Sequence, residues 1–151
     1  MSLWKAERTF DIDTLIRAPL EKVRSLLDDP QKWVRFQPLV VGIAGEPSRP
    51  GFYRLTERLE IAGLPVQFGY RARIEPHADG VDSEAWSVPF IHVDNRLRWT
   101  AEGSATRLSE RSHLEGPAPL MSYVLRTAQR AHMAMLERIR DEIERSPRAA
   151  G

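Results

Sequence analysis

The sequence predicts an α+β domain: a seven-stranded antiparallel sheet, two short helices after its first strand, and one long helix at its C-terminal end. Three features carry the prediction. Segments with two-residue alternation recur at even spacing through the middle of the chain, joined by short turns. Two short helical stretches, each opened by a proline, separate the first strand from the rest. From Leu120 to about Arg145, no proline or glycine interrupts a helical stripe of apolar residues.

The elements follow in order. RTFDIDTLIR (8–17) alternates, with Phe10, Ile12, Thr14 and Ile16 on one face. Pro19 suits a first helical turn, Glu21 suits its positive end, and Leu20, Val23, Leu26 and Leu27 share one side. Asp29 is a good N-cap and Pro30 a good first position for a second short helix ending near Gln37. PLVVGIAGEP is a strand before the turn SRPG. Tyr53, Leu55, Glu57, Leu59 and Ile61 share a face of the next strand, and Ala62-Gly63 turns the hairpin. Val66, Phe68, Tyr70, Ala72 and Ile74 face inward on the strand that returns, with Gln67, Arg71 and Arg73 opposite. VDSEAWSVPF is less regular, with an interruption at Pro89. Val93, Asn95, Leu97 and Trp99 point in on the following strand, and Thr106, Leu108, Glu110, Ser112 and Leu114 on the last. In the closing helix Met121, Val124, Leu125, Ala128, His132, Met135, Leu136, Ile139 and Ile143 form the stripe. At about 100° per residue, His132 lies within roughly 20° of its centre.

Composition narrows the function. A chain of 151 residues is one domain, expected over 1–146 with a disordered tail at 147–151. There is no cysteine, which excludes disulfides, thiolate metal sites and a cysteine nucleophile, and fits a cytoplasmic protein. Lys and Arg number 22 against 21 Asp and Glu, so nothing points to nucleic acid. No apolar run approaches the roughly 20 residues of a membrane span. No phosphate loop, dinucleotide fingerprint or serine-hydrolase elbow occurs. His77, His92 and His113, in a turn and on outward faces, lack metal-ligand spacing. No metal or cofactor is expected, and homo-oligomerisation stays open.

Three segments carry a family resemblance. LIRAPLEKVRSLLDDPQKWVRFQPLV is similar to the opening strand and helix pair of the START-like superfamily, also called SRPBCC or helix-grip. TAEGSATRLSERSHLEG resembles its last hairpin, and 120–145 its closing helix. The polyketide cyclase/dehydrase and lipid-transport-like branch comes nearest. The resemblance implies a curved sheet gripping the long helix, with a cavity between them for a hydrophobic ligand. Ring-hydroxylase domains share the fold, but their His/His/Asp iron cluster has no counterpart here.

The site candidates follow from faces within that fold. His132 faces the cavity or the core; it is a buried histidine bonded to a strand group, a ligand contact, or a general acid or base. Glu57 and Glu110 stand at strand positions flanked by apolar neighbours, where a carboxylate must be paired, hydrated or neutralised. With His132 either would suit acid–base chemistry; a bulge would instead turn them outward. Tyr53, Tyr70, Asn95 and Ser112 are inward polar groups that would orient ligand oxygens or satisfy one another. Leu55, Phe68, Leu97, Leu125, Ala128 and Met135 are expected as apolar lining. Trp86 and Trp99 are core or ligand platform, and Trp33 packs the helix pair or gates the mouth. Three functions follow: binding of a lipid, polyketide or isoprenoid; a cyclase or dehydratase using His132 with Glu57 or Glu110; or a protein-binding module of chaperone-activator type with a filled core.

Overall fold

A computed structural model describes residues 4–87 and 90–145. The expected tail at 147–151 lies outside the described residues, as does the expected interruption at Pro89. The chain runs β1 (Lys5–Ile16), α1 (Leu20–Leu27), α2 (Pro30–Trp33), a 3₁₀ turn (Val34–Phe36), β2 (Val40–Gly45), β3 (Phe52–Ile61), β4 (Leu64–His77), β5 (Gly80–Ser87), β6 (Ile91–Glu102), β7 (Ala105–Pro117), a second 3₁₀ turn (Ala118–Leu120) and α3 (Met121–Arg145). The strands form one antiparallel sheet in the order β1-β7-β6-β5-β4-β3-β2. From β2 to β7 each strand pairs with the next in sequence, because short turns join them; β1 adds to the free edge of β7.

Local chemistry explains the joints. Asp29 caps α2 through its Oδ1, which accepts from the Gln31 amide at 2.9 Å. Pro119 falls in the 3₁₀ turn that leads into α3 rather than opening the helix itself. Gly80 is required by close approach: a Cβ there would collide with the Leu97 carbonyl oxygen. The far end of α3 is tied back to the start of the fold, since the Arg17 amide donates to Glu144 at 2.8 Å.

Burial follows the expected parity. Phe10, Ile12, Thr14 and Ile16 alternate buried with exposed neighbours along β1, and Thr106, Leu108, Glu110, Ser112 and Leu114 are buried between mostly half-buried neighbours along β7. A bulge between Val40 and Gly42 shifts the β2–β3 pairing, but no irregularity falls at Glu57 or Glu110 in the β3–β4 or β7 registers. Both carboxylates therefore stay on the inward face. α3 lays Met135, Leu136, Ile139 and Ile143 against the sheet, and these join one core with α1, α2 and the inner faces of the strands.

Candidate functional site

The core is not filled throughout. Between the sheet and the first half of α3 lies a cavity of about 470 Å³. Strand parity brings Leu55, Glu57 and Leu59 of β3 into its wall, Phe68, Tyr70 and Ala72 of β4, Ser83, Ala85 and Ser87 of β5, and Val93 and Asn95 of β6. α3 contributes Tyr123, Val124, Thr127, Ala128, Ala131, His132 and Met135, one helical face. Trp33 and Val34 of the short helices, with Gln37 and Leu39 of the turn after them, close it. Ile61, Leu120 and Tyr123 line the cavity yet stay exposed, so its mouth lies between the β3–β4 hairpin and the start of α3.

Three polar groupings break the apolar wall. The first joins α3 to β7: His132 Nδ1 lies 3.0 Å from both Glu110 carboxylate oxygens. Glu110 is 4% exposed, so this pairing is what makes its burial tolerable. The ring of His132 also meets Phe10 edge-on, with centroids 5.9 Å apart. Burial alone would pull the imidazole down; the charge and hydrogen bond of Glu110, helped by the charge of Glu57, outweigh it, and its pKa is raised above the ordinary 6.5.

The second grouping is built on Glu57. Its Oε2 accepts from the Tyr70 hydroxyl at 2.7 Å and from Gln37 Nε2 at 3.2 Å. Gln37 is held in turn by the Leu39 amide, which donates to its Oε1 at 2.6 Å. Burial, then the charge of Glu57 and the bond to it, push the Tyr70 phenol well above the usual tyrosine range, so it stays a donor. The third is a row across β5, β6 and β7. Ser83, Asn95 and Ser112 are register partners; Ser112 donates to Asn95 Oδ1, and Asn95 Nδ2 donates to Ser83 at 3.4 Å.

Of the residues expected from sequence, His132, Glu57, Glu110, Leu55, Phe68, Tyr70, Asn95, Ala128 and Met135 line this cavity. Six do not. Trp86 is on the outer face of β5, 41% exposed and tilted against His92 with ring centroids 5.9 Å apart, which corrects the expectation that it is core or ligand platform. Leu97 and Trp99 are fully packed farther along β6, where the Trp99 Nε1–H donates to the Ala78 carbonyl at 3.1 Å. Ser112 is buried behind Asn95. Tyr53 and Leu125 pack on the core without reaching the cavity. Sequence reasoning missed Gln37, Ser83, Ala85, Ser87, Tyr123 and Thr127. Ser83, Ala85 and Ser87 alternate, a signal masked by the large Trp86 between them.

Sequence spacing did not foresee one outer-face grouping. Glu84, His92 and Asp94 bring metal-capable atoms within 4.8 Å of one another, though His92 Nε2 already bonds Glu84 at 2.6 Å and Arg73 holds the other Glu84 oxygen at 3.1 Å.

A long helix gripped by an open seven-stranded sheet, with a pair of short helices after β1, decides the architecture. This is a helix-grip fold. Solved structures agree. The chain is similar to the ZhuI aromatase/cyclase from Streptomyces sp. R1128 at TM-score 0.76 and 17% identity, over 97% of this chain and 99% of that one. It is similar to truncated norcoclaurine synthase from Thalictrum flavum at 0.67 and 8%, over 95% and 97%. It is similar to a START superfamily protein from Mycobacterium smegmatis at 0.56 and 18%, over 87% and 98%. At these identities the likeness is one of fold. No protein-family model matches the sequence, and no curated protein matches it. No helix among the described residues is long and apolar enough to cross a membrane.

Proposed function

We propose that the protein binds a small hydrophobic or amphipathic molecule, of lipid, polyketide or isoprenoid type, between its sheet and α3. The observation that carries this is the cavity: about 470 Å³ with apolar walls and three polar points. Protein interiors pack to near-crystalline density, and a void of this size costs stability unless it is used. Its size and sparse polar lining match small-molecule sites. A filled-core protein-binding module does not call for it. Native mass spectrometry after exposure to a mixed lipid and polyphenol extract tests the proposal. Adducts of discrete mass at one per chain, lost on filling the cavity with Ala128→Trp, are expected. An unchanged mass across the extract contradicts it.

A second reading, an active site for cyclisation or dehydration, is favoured by the His132–Glu110 pair. Glu110 holds Nδ1, which leaves Nε2 for proton transfer. In a dehydration a base removes the proton next to a carbonyl and an acid protonates the departing hydroxyl, giving an alkene and water. His132 fits the acid, with Glu110 as its positioning partner, and Glu57 fits the base. Two of the structural neighbours are by name a cyclase and a synthase, which supports this use of the fold. Turnover of a β-hydroxy ketone lost in His132→Gln, with ligand binding kept, would separate this reading from simple carriage.

A further inference from the structure

We infer that the cavity selects ligands whose polar group donates hydrogen bonds and is neutral or cationic, that it disfavours carboxylates, and that an amine on an apolar body is the class it holds best. The inference deepens the ligand-binding reading and rests on it.

The charges facing the ligand decide the matter. Among the described residues lining the cavity, the charged side chains are Glu57, Glu110 and His132, and no arginine or lysine joins them. Glu110 and His132 spend their charges on each other at 3.0 Å. Glu57 is left. Its Oε2 is held by two neutral donors, Gln37 and Tyr70, which stabilise a carboxylate without cancelling its charge. Its Oε1 takes no hydrogen bond from the described residues. Two carboxylates outnumber the one imidazole, so even a charged His132 leaves a net negative charge inside apolar walls, where a charge acts more strongly than in water. The β4 arginines cannot answer it: Arg71 and Arg73 stand on the opposite parity, bonded to Glu46 and Glu84.

A ligand carboxylate would therefore meet a like charge and find no cation beyond His132, whose charge Glu110 already offsets. A ligand ammonium or hydroxyl would find the open oxygen of Glu57. Neutral oxygens elsewhere on the ligand have Asn95 and Ser83 to meet.

The test uses three matched amphiphiles, decylamine, decanol and decanoate, displacing the neutral fluorescent probe N-phenyl-1-naphthylamine at pH 7.5. Decylamine is expected to displace at about tenfold lower concentration than decanoate, or better, with decanol between. Glu57→Gln keeps the hydrogen-bonding shape and removes the charge; it is expected to shrink that ratio toward one. Decanoate binding as well as decylamine, or a ratio untouched by Glu57→Gln, overturns the inference while leaving the ligand-binding reading intact. No saturable binding of the probe or any amphiphile overturns the reading itself, and the inference with it.

Discussion

His132 on α3 and Glu110 on β7 meet through one nitrogen and two oxygens, each at 3.0 Å, at the boundary between cavity and core. Removing one partner leaves the other without compensation. Glu110 is 4% exposed, so His132→Ala is expected to cost about 3 kcal/mol or more, the range for breaking a buried ion pair. Replacing both together, as His132→Leu with Glu110→Leu, is expected to cost less than His132→Ala alone. Urea unfolding of the native protein and the two variants measures this; a double variant that loses as much stability as His132→Ala, or more, would contradict the coupling.

The same pair sets a pH dependence. An imidazole whose pKa rises on folding binds its proton more tightly folded than unfolded. Its stabilisation is complete below the unfolded value of about 6.5 and is lost as pH climbs through the higher folded value. The urea midpoint is therefore expected to fall as pH rises above 6.5, and His132→Gln is expected to flatten that limb. A midpoint that rises over this interval in the native protein, and not in the variant, would reverse the assigned sign.

Ala128 faces the cavity from α3 and is half-buried. Methyl groups added there extend into the cavity. Ala128→Leu is expected to raise stability by about 0.5–2 kcal/mol while weakening probe binding. A destabilised protein with undiminished binding would mean the side chain points elsewhere.

Gly80 tests the sheet. Its missing Cβ makes room for the Leu97 carbonyl, and the Arg98 side chain crowds the same point at 2.8 Å. Gly80→Ala must push β5 from β6 and is expected to cost about 2 kcal/mol or more. A near-neutral change by thermal melting would contradict this packing.

The sequence made the faces of this protein legible, but not their depth. Parity put Glu57, Glu110, Tyr70 and Asn95 inward because a strand alternates strictly, and helical spacing put His132 there for the same kind of reason. Parity is silent on position along the strand axis. Leu97 and Trp99 share the inward face with Asn95, yet they fill the far end while Asn95 meets the cavity. Trp86 failed differently: its size suggested burial, but the inward residues of β5 are small, and the tryptophan lies outside against His92. Gln37 was hidden because its role depends on a long-range approach to Glu57, twenty positions away in the chain.

The cavity is most directly tested by methionine methyl NMR during titration with N-phenyl-1-naphthylamine. Met135 lines the cavity, whereas Met133 on the same helix does not and is 36% exposed. The account predicts a saturable shift of the Met135 methyl signal with Met133 unmoved. A shift of Met133 with Met135 unmoved would place the ligand outside the fold and contradict it.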